Sequence, residues 1–157
     1  MQHTLSISRA TEVLRALGKV RMTMQHILLA TDGSDDASHA TDVAADLARA
    51  LGAKLSIMTV ERDASADETG TLAQAQWNGE DAVNTKQVLQ MTKERAQRCG
   101  ASDVRVQLGR GDPAEVIIET ARRENVDAIV MGRRGRGLVS QKVSSGAPCI
   151  VIVVPCM

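Results

Sequence analysis

The chain has 157 residues, of which 43% are hydrophobic, and its 19 basic residues balance its 19 acidic residues. This length and composition predict one soluble domain with a sizeable core, and the core must be aliphatic because aromatic residues make up 1% of the chain. The balanced charge argues against a basic face that would bind a nucleic-acid duplex, and the scarcity of aromatic rings argues against stacking platforms for single strands. We therefore predict that the protein does not bind nucleic acid.

The first 23 residues contain no apolar run long enough for a signal peptide or a membrane span. Val13, Leu14 and Leu17 lie at helical spacing and are followed by Gly18, which is a typical helix stop. We therefore interpret residues 1–23 as an N-terminal extension, either a short helix or disordered, and residues 24–157 as the folded domain.

Short apolar runs alternate with amphipathic segments through the rest of the chain. The runs predict five strands, at residues 26–31, 54–60, 103–108, 127–131 and 149–154, and the last two are predicted to be buried on both faces. Helices are predicted between them, the last of them short, at residues 141–145, and residues 61–81 are predicted to form a long loop. Because strands and helices alternate at this spacing, we expect a parallel sheet with helices on both faces and right-handed crossovers.

The stretch between the last two predicted strands is rich in glycine and arginine. Gly132, Gly135 and Gly137 can adopt positive φ angles and lack a Cβ, so the N–H groups between them can approach an anion closely. The short helix that follows would point its positive N-terminal end at the same anion. The pattern predicts a phosphate-sized site at the C-terminal end of a strand, although glycines at this spacing also serve strand-to-helix turns for steric reasons alone.

Four stretches, ILLATDGS, GDPAEVI, DAIVMGRRG and GAPCIVIVV, resemble the universal stress protein family, and the resemblance covers roughly residues 24–155. In that family a strand ending in Met-Gly or Val-Gly runs into G-x2-G-x9-G-[ST] and then into a strand that begins A-P-C. Here Gly137 follows Gly135 after one residue instead of nine, and Leu138 replaces the expected Ser or Thr. About eight residues of the phosphate loop are therefore missing.

The resemblance implies the adenine nucleotide alpha hydrolase-like fold, an open parallel five-stranded sheet of order 3-2-1-4-5. Its winding reverses between the first and fourth strands, where such sheets bind ligands. In nucleotide-binding members the residue matching Asp32 lies at the nucleoside and the one matching Val60 at the base. Without the resemblance we would interpret Asp32 as a simple turn residue. The implied nucleotide contacts are Asp32, Val60, Met131, Gly132, Arg134, Gly135, Gly137, Val139 and Ser140.

The resemblance implies a non-catalytic stress-response protein with an unidentified protein partner, and the alternative is a weak ATP-hydrolysing member of the same superfamily. Family members divide between those that bind nucleotide and those that do not, so ATP or AMP binding stays open here. Cysteines at positions 99, 149 and 156 match neither a disulfide framework nor a zinc motif, which predicts a reducing cytoplasm and no metal site. No histidine lies near Cys149 in sequence, so we predict no catalytic residue.

The last predicted strand lies at the edge of the implied sheet. An unpaired edge of this kind invites pairing with another chain, and the predicted dimer interface is the unbroken apolar run Ile150, Val151, Ile152, Val153 and Val154. The family resemblance implies the same homodimer, in which this strand pairs with its symmetry mate. The alternative is that the N-terminal extension or a helix of the same chain covers the edge.

Overall fold

Strands and helices alternate along the chain in the computed structural model, which describes residues 24–33, 35–62, 79–133 and 138–155. The strands are β1 (His26–Ala30), β2 (Lys54–Glu61), β3 (Val104–Arg110), β4 (Ala128–Arg133) and β5 (Ile150–Pro155). The helices of the described residues are α1 (Asp35–Leu51), α2 (Gly79–Arg98), α3 (Pro113–Arg123) and α4 (Leu138–Gly146). The predicted extension at residues 1–23 lies outside the described residues, so its boundary stays a prediction.

The five strands form one parallel sheet in the order β3-β2-β1-β4-β5. This confirms the predicted order and strand direction. Helices α1 and α2 pack on one face of the sheet, and α3 and α4 pack on the other. Among the described residues, no helix is both long enough and apolar enough to cross a membrane.

Two aliphatic clusters hold these layers together, one on each face of the sheet. Under α1 the helix contributes small side chains, Ala40, Ala44 and Ala48, at four-residue spacing, and all three are buried. Because alanine adds little bulk, the helix backbone can lie close to the β1 side chains Ile27 and Leu29, which are fully buried. The other face buries a cluster of side chains from β1, β2, β4, α3 and α4, which includes Met58 and Met131.

The N-terminal ends of the central strands are held by polar contacts. One carboxylate oxygen of Asp127, which lies just before β4, accepts hydrogen bonds from the backbone N–H groups of Gln25 and His26, at 2.8 and 3.0 Å. The ring Nε2 of His26 lies 2.7 Å from the Ser56 hydroxyl, and both residues are buried. These contacts fix β1 against β4 on one side and β2 on the other.

Three predictions about the elements were wrong, two about bounds and one about burial. Residues 61–81 were predicted to be a loop, but β2 continues through Glu61, which pairs with Arg110 of β3, and α2 already begins at Gly79. The last strand was predicted to be buried on both faces, but Ile150 is 54% exposed because β5 has a neighbour on one side only among the described residues. Helix α4 is also longer than predicted.

Candidate functional site

The winding of the sheet reverses at the carboxyl ends of β1 and β4, and a crevice is expected at such a point. After β1 the chain passes to α1 on one face, whereas after β4 it passes to α4 on the opposite face. The two connections therefore separate and leave room between them. Parallel α/β sheets bind their ligands at such a position.

The end of β1 is held in place by three hydrogen bonds. The backbone N–H of Thr31 donates to the carbonyl oxygen of Met58 at 2.9 Å, and the Thr59 hydroxyl donates to the carbonyl oxygen of Thr31 at 3.0 Å. The N–H of Gly33 donates to the Thr31 hydroxyl at 3.1 Å, and Gly33 has a φ of +80°, which favours glycine. This turn directs the chain toward α1 and leaves the side chain of Asp32 exposed between its two anchored neighbours.

The strand register brings Asp32 to the level of one other predicted site residue, Val60, and within one residue of the level of a second, Gly132. Ala30 lies opposite Met58 on β2 and opposite Met131 on β4. Counting two residues further along each chain puts Asp32 level with Val60 on one side and with Arg133, the neighbour of Gly132, on the other. Neighbouring strands lie about 4.8 Å apart, so these residues border one crevice.

Three apolar members of the predicted site belong to one cluster. Met131 is buried, and Val60 and Val139 are half-buried and pack against the cluster on the α3 and α4 face. Ser140 lies next to Val139 in the first turn of α4 and is also half-buried. The remaining predicted residues, Arg134, Gly135 and Gly137, lie outside the described residues. The described part of the site therefore combines an apolar cluster with the exposed side chain of Asp32 at the end of β1.

The structure adds one residue that the sequence analysis assigned to a loop. Glu61 ends β2 at the same edge of the sheet, and its side chain is 5% exposed. Neither of its carboxylate oxygens has a hydrogen-bond partner within the described part of the chain, and the Nε of Arg110 lies 3.7 Å from Oε2. The sequence feature that could have pointed to Glu61 is a carboxylate that directly follows the apolar run of β2.

The titratable groups near the sheet give no sign of nucleophilic chemistry in the described residues. Burial raises the pKa of the Cys149 thiol, and the nearby charge of Asp127 acts in the same direction. The thiol is therefore held neutral and less reactive than an exposed cysteine. No three His, Cys, Asp or Glu side chains of the described residues lie close enough together to hold a metal ion.

The sequence pattern of the Universal stress protein family matches residues 23–155. The chain belongs to this family. A Staphylococcus haemolyticus protein named as a universal stress protein is 31% identical over 142 residues, which cover 85% of this chain and 86% of that protein. The universal stress protein UspA from Lactobacillus plantarum matches the fold with a TM-score of 0.75 at 26% identity, over 85% of this chain and 99% of its own.

A third relative was solved with a nucleotide. The universal stress protein from Archaeoglobus fulgidus in complex with dAMP has a TM-score of 0.66 and 26% identity to this chain, and the match covers 85% of this chain and 99% of that one. The strand order and the two helical layers described above are those of the adenine nucleotide alpha hydrolase-like fold.

Proposed function

We propose that this universal stress protein binds an adenine nucleotide in the crevice between β1 and β4 and acts without turning it over. The observation that carries the proposal is that three apolar residues of one cluster, Val60, Met131 and Val139, and the exposed Asp32 all lie at the strand ends where the winding reverses. The relative that was solved with dAMP supports the choice of nucleotide class.

The nucleoside should supply most of the affinity. Only four residues separate Arg133, the last residue of β4, from Leu138, the first residue of α4. A connection this short offers few backbone N–H groups to a phosphate chain, and Leu138 has no hydroxyl to donate. We therefore expect ATP and AMP to bind with affinities that differ by less than about two powers of ten, or roughly 2.8 kcal/mol.

Isothermal titration with ATP, ADP and AMP tests this proposal. Asp32→Ala should weaken the binding of all three nucleotides, while Asp46→Ala, which removes an exposed carboxylate on α1, should leave it unchanged. ATP binding more than about a hundredfold tighter than AMP would contradict the expected indifference to the terminal phosphates. Release of phosphate from bound ATP would instead support the alternative, a weak ATP-hydrolysing member of the superfamily.

We also infer a cytoplasmic homodimer that forms through β5 and presents the bound nucleotide to a protein partner. Strand β5 has no second neighbour among the described residues, and its side chains are almost all apolar. Ile150 is exposed, and residues 151–153 are half-buried. A two-fold axis beside β5 would pair it with its own copy in antiparallel fashion and cover this edge.

Sedimentation of two matched variants tests the dimer. Ile150→Lys places a charge on the β5 edge, and Val106→Lys places the same charge on an exposed β-branched residue of β3, the opposite edge. We expect the first variant to be monomeric and the second to remain dimeric, with circular dichroism showing that both are folded. A wild-type protein that is monomeric at micromolar concentration, or an Ile150→Lys variant that stays dimeric, would contradict the inference.

A further inference from the structure

The carboxylate of Glu61 is buried without a satisfied hydrogen bond. Among the residues that the structure describes, neither Oε1 nor Oε2 has a partner, and the Nε of Arg110 lies 3.7 Å from Oε2, which is beyond hydrogen-bond distance. The Arg110 side chain is 72% exposed, so most of its charge faces water. A buried anion with so little compensation is unusual in a folded protein and calls for an explanation.

The position of Glu61 connects it with the nucleotide crevice. It directly follows Val60, and counting on from the β1 register puts it level with Gly33, which follows Asp32. Strand β2 therefore extends beyond the end of β1, and Glu61 lies one residue past Val60, which is a member of the proposed site. Because successive side chains of a strand point to opposite faces, Val60 packs in the apolar cluster while Glu61 points to the other face.

We propose that Glu61 recognises the ribose of the bound nucleotide by accepting hydrogen bonds from its two neighbouring hydroxyl groups. This inference rests on the proposed function. A carboxylate has two acceptor oxygens, and a ribose carries two adjacent O–H donors, so the pair satisfies both atoms that the described part of the free protein leaves without partners. In dinucleotide-binding α/β proteins an acidic residue about 20 residues after the glycine-rich turn likewise hydrogen-bonds the ribose 2′-OH.

The side chain must turn toward the crevice to make these bonds, because both oxygens are covered in the free protein. When Glu61 turns, its carboxylate breaks no hydrogen bond to any described residue, because it makes none. Its contact with the exposed Arg110 is long, at 3.7 Å. The reorientation therefore exchanges an unsatisfied carboxylate for one with two charge-assisted hydrogen bonds.

Titration of AMP and 2′-deoxy-AMP against the full-length protein and three variants tests the proposal. The wild type should prefer AMP by about tenfold or more, because 2′-deoxy-AMP lacks one of the two hydroxyls. Glu61→Leu should reduce this preference to within about twofold, and Glu61→Gln, which keeps the shape of the side chain, should reduce it in the same direction. Glu119→Gln, on the exposed surface of α3, should keep the preference of the wild type.

The outcomes separate this inference from the proposed function. If the wild type binds AMP and 2′-deoxy-AMP equally, or if folded Glu61→Leu keeps the preference, the ribose role of Glu61 is wrong and the nucleotide site stands. If neither nucleotide binds, the proposed function fails and the inference fails with it.

Discussion

Replacing Gly33 with alanine should destabilise the protein by about 2 to 5 kcal/mol, and two terms make up this sum. The first is the backbone, because φ is +80° at Gly33 and a side chain in this region costs about 1 to 2 kcal/mol. The second is steric, since the new Cβ would lie 2.6 Å from Cγ1 and 2.8 Å from Cγ2 of Val88 in α2. Overpacking of this kind costs about 1 to 3 kcal/mol.

Val88 has little freedom to move aside. Its side chain branches at Cβ, so few rotamers are available, and its own Cβ would lie 3.3 Å from the added atom. The strain must therefore move α2 or the turn after Asp32. Because that turn borders the crevice, we expect the same variant to bind nucleotide more weakly.

Gly52→Ala is the matched control, because Gly52 also has a positive φ, of 63°, but no described atom lies within 4 Å of the place that a Cβ would take there. It should lose only the backbone part, about 1 to 2 kcal/mol. Urea unfolding curves of both variants measure the difference, and Val88→Ala in the Gly33→Ala background should restore part of the loss. Equal losses in the two glycine variants would refute the steric reasoning.

Burial lowers the pKa of His26 below its usual value of 6.5, and Lys54 acts in the same direction, so the unfolded chain binds this proton more readily. The contribution of neutral His26 to the free energy of unfolding should be fully present above about pH 6.5 and should be lost as the pH falls through the folded-state pKa. Urea unfolding at several pH values measures this loss, which should be smaller in His26→Gln. Glu61→Leu should raise the unfolding free energy by about 1 to 3 kcal/mol, because it removes an unsatisfied buried carboxylate. A loss of stability in Glu61→Leu would mean that the contact with Arg110 is worth more than its length suggests.

The central strands could be predicted from the sequence because burial on both faces leaves a direct mark on composition. In β1 the consecutive residues Ile27, Leu28 and Leu29 are all fully buried, and no helix on the surface would carry such a run. Strand β5 has the same apolar character, yet Ile150 is exposed. Composition alone does not distinguish a strand that its own chain covers from one that a second chain would cover.

The strand ends were harder to predict for a different physical reason. A charged residue after an apolar run is typical of a loop, but Glu61 stays in β2 because its backbone continues the ladder with β3, and the N–H of Gly111 donates to its carbonyl oxygen at 2.9 Å. Backbone pairing of this kind depends on the neighbouring strand and not on the side chain. The position of Asp32 opposite Val60 likewise follows from the register between β1 and β2. Register depends on how two strands pair, so it cannot be predicted from the local sequence of either strand.

The short connection between β4 and α4 and the buried carboxylate of Glu61 act in the same direction on the proposed site. The short connection between β4 and α4 removes backbone donors that would hold a phosphate chain, while Glu61 adds an acceptor beside the crevice that suits a sugar. Donors favour anions, whereas an anionic acceptor repels phosphates and favours hydroxyl groups. On the proposed function, recognition therefore moves from the phosphates to the nucleoside, and such a site responds to the amount of adenine nucleotide more than to its state of phosphorylation.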